Sequence, residues 1–272
     1  SCSAESFPGD RTDMKAIEYV YAARAKGRCT SLDFISNIFT DFIELHGDRR
    51  FADDKAIVGG LARFGNMTVT VIGIEKGQDT RSRIDRNFGS AHPEGYRKAL
   101  RLMKQAEKFR RPVICFVDTS GAYCGIGAEE RGQGQAISEN IMEMMDLKTP
   151  IISILIGEGG SGGALALAVA NEVWMLEKAV YSVISPEGCA SILYKDPKMA
   201  EKAAEDLKLT SDDMLKFGVV DKIISESPPN ITFHIIRNEL SSALRRLCAL
   251  SGEELAEQRY KRYRVLGSHG TV

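Results

Sequence analysis

The six cysteines, at positions 2, 29, 115, 124, 189 and 248, form no Cys-x-x-Cys pair. That excludes a readable zinc ribbon or redox dithiol in this chain. Long apolar runs are missing too. The longest uncharged stretch, Gly159–Asn171, is too short and too glycine-rich to span a membrane. Net charge is almost absent: 36 Lys+Arg against 37 Asp+Glu leave −1, whereas a chain-wide nucleic-acid binder would be far more basic. No fixed-period repeat and no low-complexity segment is visible. The sequence starts at Ser1 with neither a secretory signal nor a basic transit segment, so we expect a cytoplasmic protein. Cysteines in apolar surroundings, such as Cys115 within Val113–Val117, fit a reducing compartment.

What is present is ordinary for a globular chain: 272 residues, 43% hydrophobic and 27% charged. Disorder is disfavoured by that balance. Length alone suggests roughly two domains, yet burial on folding is ample for one large core. Residues 1–13 read as a loose polar arm. Helical patterns cover 14–26 and 31–43, the second opened by a Thr30-Ser31 cap. Residues 57–64 and 67–74 are β-rich and flank Gly65-Asn66, a hairpin signal. A helix follows over 94–110 between Pro93 and Pro112, with Tyr96, Ala99, Leu100, Met103 and Ala106 on one face. Its other face carries Arg97, Lys98, Arg101, Lys104 and Lys108. Buried strands at 113–117 and 151–156 each run into a glycine loop and then a helix, near 129–146 and 164–170. Short strands at 173–176 and 180–184 precede a mostly helical remainder. Alternation of buried strands with helices predicts an α/β fold with largely parallel pairing.

The sharpest feature is Gly157-Glu158-Gly159-Gly160-Ser161-Gly162-Gly163, where a buried strand meets a helix start through five glycines. Glycine lets a ligand approach the main chain, and the first N–H groups of a helix are unpaired and partly positive. A phosphate, a carboxylate or a developing oxyanion would suit such a place. Close packing of helix on strand explains one glycine more readily than five. No Gly-Lys-Ser/Thr and no GxGxxG spacing supports a phosphate loop. Gly159–Gly163 also matches G-x-S-x-G, with Asp221 and His234 following in hydrolase order. His234, however, reads as a packed helical histidine. The remaining reading is an oxyanion hole made of backbone N–H groups. A second corner, Asp118–Gly127, has the same strand–glycine–helix form, and the two could face one cleft. Glu129 and Glu130 after it read as dipole complements.

The third feature is charge in one place. Residues 81–111 hold ten Lys/Arg against Asp85, Glu94 and Glu107, a local +7. Such a run is commonly a solvated face, but against a neutral chain it suggests contact with a polyanion, a coenzyme A phosphate or an acidic partner. Arg81, Arg83, Arg97 and Lys98 are the candidates.

Several ordered stretches give the chain a resemblance: Gly47–Arg49, Ala52–Gly60, Arg86–Gly89, Pro93–Met103, Gly127–Gln133, Gly157–Leu165 and Ser182–Ser191. They resemble the α subunit family of the bacterial-type acetyl-coenzyme A carboxylase carboxyltransferase. Phe217–Ile224 is similar to the closing turn and strand of the wider crotonase superfamily. The resemblance implies a crotonase-like (ClpP/crotonase) α/β fold of stacked ββα units, with a core at 46–228 between helical extensions at 1–45 and 229–272. It implies transfer of a carboxyl group from carboxybiotin, held on the biotin carboxyl carrier protein, to acetyl-CoA, giving malonyl-CoA for fatty-acid synthesis.

The partners so implied are a β subunit that holds the zinc, in an α2β2 assembly, and biotin carboxylase in the wider complex. The absence of Cys-x-x-Cys here agrees with that division. Carried over, Gly162 and Gly163 would hold the biotin ureido oxygen. Gly159, Gly160, Gly121, Ala122 and Gly125 would line the carboxybiotin pocket, with no metal in this chain and no nucleic acid or membrane as partner. Ser161 would be structural. Three departures stand out: Ser120 and Cys124 replace two prolines of the family pattern, and Gln78 replaces an arginine. Alternatives are a stand-alone crotonase-type hydratase or isomerase, a hydrolase built on Ser161, or a non-catalytic assembly subunit using the basic face.

Overall fold

The computed structural model describes residues 14–268; the expected 1–13 arm and Cys2 lie outside them. The strands are β1 (Thr40–Glu44), β2 (Ile57–Phe64), β3 (Met67–Ile74), β4 (Val113–Thr119), β5 (Ile151–Gly160), β6 (Glu172–Leu176), β7 (Val180–Ser182) and β8 (Lys222–Ile224). The first helices are α1 (Ala16–Arg24), α2 (Ser31–Ile38), α3 (Thr80–Asp85), α4 (Pro93–Lys108), α5 (Ile126–Glu130) and α6 (Gln133–Asp146). After them come α7 (Ser161–Leu165), α8 (Pro186–Leu193), α9 (Ala200–Leu207), α10 (Ser211–Lys216), α11 (Pro229–Leu247) and α12 (Gly252–Val265).

One sheet runs in the order β1-β2-β3-β4-β5-β6-β8, with β7 added to the end of β5. The β1–β2 and β2–β3 pairs are antiparallel and all later pairs are parallel. The expected hairpin is present, with Phe64 opposite Met67 across Gly65-Asn66. Every residue of β4 is buried. That matches its continuous apolar run, because parallel strands are covered on both faces. Helix α4 begins at Pro93, where a missing N–H leaves no gap, and packs its Tyr96–Ala106 stripe inward.

Three expected elements differ. The 31–43 helix stops at Ile38, and Thr40–Glu44 becomes edge strand β1. Its partner β2 presents Gly60, where a Cβ would stand 2.0 Å from the Ile43 carbonyl oxygen. Close pairing to β2 thus overrides the helical stripe, while Phe39 remains buried. The 129–146 helix is two helices, α5 and α6, broken at left-handed Gly132. The 164–170 helix is the short α7 followed by a buried turn.

The main core extends from Phe34 to Leu255, so α2, α11 and α12 share it with the sheet. Phe34 of α2 stacks on Phe116 of β4 at 5.4 Å and meets Phe233 of α11 edge-on at 5.2 Å. Arg259 fastens α12, donating to the Met145, Leu147 and Thr149 carbonyls and to Asn171 Oδ1. Among the described residues no helix is long and apolar enough to cross a membrane.

Candidate active site

Parallel strands β3, β4 and β5 are neighbours in register, so their carboxyl ends lie side by side. That edge is where parallel sheets place ligands. Here three charged residues follow or end the three strands: Lys76, Asp118 and Glu158. Lys76 Nζ lies 2.7 Å from Asp118 Oδ1 and 2.8 Å from Glu158 Oε2. Asp118 Oδ1 also accepts the Glu158 N–H at 2.8 Å. Arg24 of α1 adds Nε at 2.7 Å from Glu158 and Nη1 at 2.7 Å from Glu187. Burial works against the Lys76 charge, but Asp118 and Glu158 outweigh it and raise its pKa. Burial likewise opposes the Glu158 charge, and Lys76 with Arg24 still holds it below the usual carboxylate range. The sequence reading missed this cluster. Its signal was acid residues at the ends of strands otherwise apolar or glycine-rich.

The two glycine corners meet directly above it. A Cβ on Gly160 would stand 2.2 Å from the Ser120 carbonyl oxygen, and one on Gly157 would stand 2.3 Å from Asp118 Oδ1. A Cβ on Gly163 would meet Ala122 N at 2.6 Å and Gly121 C at 2.9 Å. The structure thus brings Gly121, Ala122, Gly160 and Gly163 together, as the expectation of one shared cleft requires. It also corrects the reason for the glycines. Packing, not ligand access, removes the side chains at positions 157, 159, 160 and 163. Gly159 is buried, and the space of its missing Cβ is taken by Leu155 and Tyr181. Gly125 likewise faces the Tyr123 ring, 2.4 Å from where its Cβ would be. Neither residue therefore offers that side to a ligand.

Among the glycines of the two corners, open space remains at Gly121 and a single tight contact at Gly162. A Cβ on Gly121 (φ +151°) would have nothing within 4 Å, and one on Gly162 would meet only Ile137 Cγ2 at 3.3 Å. Gly162 and Gly163 are the second and third residues of α7, where N–H groups lack intrahelical acceptors. The facing loop is well held. Thr119 Oγ1 donates to the Gly121 carbonyl at 2.8 Å and accepts its N–H at 3.0 Å. Tyr123 N donates to Ala91 O at 3.0 Å, and its ring stacks on His92 at 4.1 Å. Gln133 Nε2 donates to the Ala91 and Tyr123 carbonyls, both at 2.8 Å.

The basic candidates separate. Lys98 is corrected: its side chain is 0% exposed, with Nζ 2.6 Å from Asp53 Oδ1 and 2.8 Å from the Asp54 carbonyl. A lysine sealed between α4 and the 53–54 turn cannot meet a solvent-borne phosphate. Arg97 is mostly committed as well, donating to Arg131 O and lying 3.9 Å from Asp48. Arg81 is exposed on α3. Arg83 lines a cavity of about 190 Å3 with Arg24, Arg28, Lys76, Phe88, Ser120 and Glu158.

No hydrolytic triad forms. Ser161 is exposed with φ +52°. The Asp221 carboxylate is occupied by Arg262 and by the Val173 N–H at 2.7 Å. His234 is exposed on α11 rather than packed, contrary to expectation. Among the described residues no group of three His, Cys, Asp or Glu could hold a metal ion.

Comparison with known proteins agrees with this geometry. The family described as acetyl co-enzyme A carboxylase carboxyltransferase-like matches residues 10–267. The acetyl-coenzyme A carboxylase carboxyl transferase subunit alpha of Ruminiclostridium cellulolyticum is 62% identical over 256 residues, 93% of this chain and 98% of that protein. The corresponding subunit of Streptococcus pneumoniae (strain Hungary19A-6) is 57% identical over 92% of this chain and 99% of its own length. Among solved structures, transcarboxylase 12S aligns with a TM-score of 0.69 at 18% identity, over 84% of this chain and 42% of that one. A Pseudomonas malonate decarboxylase hetero-tetramer in complex with coenzyme A aligns at 0.69 and 15% identity, over 87% and 95%. At such identities these two speak for the fold, which is the crotonase-like one expected. With the hydrolase constellation unassembled and the sequence matched almost end to end, the chain belongs to the family of acetyl-coenzyme A carboxylase carboxyltransferase α subunits.

Proposed function

We propose that this chain supplies the carboxyl-donor half of the carboxyltransferase site, and that the N–H groups of Gly162 and Gly163 stabilise charge there. When bound, carboxybiotin supplies the carboxyl group, and its ureido oxygen takes up the negative charge left as the N–CO2 bond breaks. The fit rests on one observation: two glycine corners lie in contact, Gly121 keeps an open side, and Gly162 is faced by a single side-chain atom, Ile137 Cγ2 at 3.3 Å. A flat ring system can lie there against the main chain, beside donors at a helix start. Ala122 and Gly160 hold the floor by backbone contact. Donors fixed in advance need no rearrangement as charge develops.

The carboxylates at the corner, Asp118 and Glu158, are paired with Lys76 and Arg24, so we assign no side-chain base to this chain. The acceptor acetyl-CoA and the hole for its enolate then belong to the β subunit, with the pair assembled as α2β2. Exposed Phe88, Tyr123, Ile126 and Val183 on the loops around the corner give such a partner an apolar rim. The biotin carboxyl carrier protein delivers the donor, with biotin carboxylase upstream and zinc confined to β. Arg81 and Arg83 are the basic residues left to meet a coenzyme A phosphate or an acidic partner. The cytoplasm is the compartment that suits these partners.

The test is carboxyl transfer in the reconstituted α/β complex. Gly162→Pro removes one N–H in the first turn of α7. It should lower kcat by about 10²–10³, the usual loss of one oxyanion donor. Ser161→Ala should keep substantial transfer. Loss of transfer in Ser161→Ala, together with ester hydrolysis by the chain alone, would overturn the reading.

A further inference from the structure

Tyr96 lies on α4, in the inward stripe, and is fully buried. Its ring is explained by packing. Its hydroxyl is not: Oη is buried without a hydrogen-bond partner. A buried hydroxyl left unpaired is destabilising, and phenylalanine would fill the same volume without it. Such an atom asks for a reason other than folding.

Its location supplies one. A Cβ on Gly163 would stand 2.9 Å from Tyr96 Oη, in the same small space that touches Ala122 N and Gly121 C. The hydroxyl therefore sits under the junction where the two corners meet, beside one of the two proposed oxyanion donors. Both corners are otherwise tied from their outer sides, by Thr119, Gln133 and Ala91 on one loop and by the β5–β7 pairing on the other. At the junction itself, Tyr96 brings the side-chain polar atom. Burial and the nearby Asp54 carboxylate raise its pKa, so it stays a neutral O–H. A neutral hydroxyl can accept from one N–H and donate to a carbonyl without adding charge to the site.

We propose that Tyr96 is a positioning residue for carboxyl transfer: its hydroxyl pairs with the Gly121–Ala122 and Gly163 backbone as charge develops at the corner, and holds the Gly163 N–H on its target. The inference rests on the reading of Gly162 and Gly163 given above. It assigns work to a side chain that touches neither carboxyl donor nor acceptor.

Tyr96→Phe tests it in the α/β complex. The thermal midpoint of the variant should stay level or rise, because an unpaired polar atom has been removed. Its kcat should fall at least tenfold, while the KM for acetyl-CoA changes less than twofold. Unchanged kcat overturns the inference. So does a lowered midpoint with activity reduced only in proportion to the folded fraction, since the hydroxyl would then be structural. Gly162→Pro runs alongside as the control for the corner. If it loses activity while Tyr96→Phe does not, the inference alone fails. If it keeps full activity, the reading of the corner fails and the inference with it.

Discussion

Replacing Lys76 with methionine should destabilise the fold sharply, because it leaves two carboxylates at adjacent strand ends without the cation between them. The contacts are 2.7 Å to Asp118 and 2.8 Å to Glu158, with side-chain exposures of 17%, 7% and 11% for the lysine and the two acids. At an effective dielectric near 20, each contact is worth roughly 6 kcal/mol before desolvation. Desolvation offsets most of that, and removing one partner of a buried pair typically costs about 3–5 kcal/mol. The lower end applies here. Glu158 keeps Arg24 Nε at 2.7 Å, and Asp118 keeps the Glu158 N–H at 2.8 Å. With a urea m-value of about 3 kcal/mol/M for a chain of this size, the unfolding midpoint at neutral pH should drop by about 1 M.

The sign of the pH dependence is a second check on the same variant. Burial works against the Glu158 charge and Lys76 is foremost among the cations that hold its folded pKa down, so removing Lys76 raises that pKa. A carboxyl depressed in the folded state contributes stability that is present above its ordinary pKa of 4.5 and lost as pH falls below it. The variant's deficit against the parent therefore shrinks on acidification through that range. A midpoint change below about 0.3 M at neutral pH, or a deficit that does not shrink on acidification, would refute the reasoning.

Two other predictions concern neighbouring features. Ser161 holds φ at +52°, which is unfavourable for a residue with a Cβ by about 1–2 kcal/mol. Part of that is recovered when glycine loosens the unfolded chain, so Ser161→Gly should stabilise by about 0.5–1 kcal/mol. Scanning calorimetry should show a small rise in Tm while carboxyl transfer continues; a fall in Tm would contradict the strain argument. The second concerns Asp53. Burial works to raise its pKa, but the Lys98 ammonium and the Gly47 N–H bring it down to about 2. A depressed carboxylate contributes stability that is present above about pH 4 and lost as pH falls towards 2. The full shift would correspond to about 2.5 kcal/mol, but this carboxylate is a third exposed, so about 1–2 kcal/mol is expected after screening. Lys98→Met should flatten the stability curve over that range in acid titrations followed by circular dichroism, and an unchanged slope would contradict the pairing.

The legible parts of this protein were those set by local pattern. The Gly65-Asn66 hairpin, the buried runs of β4 and β5, and the Pro93-opened α4 follow from residues near in sequence. Edge strand β1 did not, because its cause is a neighbour: Gly60 on β2 lets residues 40–44 pair closely, and that contact is invisible along the chain. Lys98 misled for a similar reason. Its helical spacing places it on the charged face, yet the 53–54 turn folds over that face and buries it. The glycines of 157–163 pointed to the right place through an incomplete cause. They are missing side chains mainly because a second strand end presses on them, and a one-dimensional reading sees the glycines but not the strand.

That correction bears on the three departures from the family pattern. Two prolines would stiffen the 118–125 loop by fixing φ, and Ser120 and Cys124 forgo that. The structure shows other restraints on the same loop. The Thr119 hydroxyl brackets Gly121, Gln133 clamps Ala91 to Tyr123, and the Ser120 carbonyl abuts Gly160 so tightly that no side chain fits there. These contacts act in the folded state, whereas proline would act largely by restricting the unfolded chain. The substitutions should therefore lower global stability more than they disturb the corner. Gln78 follows the same logic. Its amide donates to Asp33 Oδ2 at 2.6 Å and so ties the 76–79 turn to the first turn of α2. An arginine there would bring charge, but Gln78 already supplies the link, and Arg24, Arg28, Lys76 and Arg83 line the cavity beside Ser120 and Glu158.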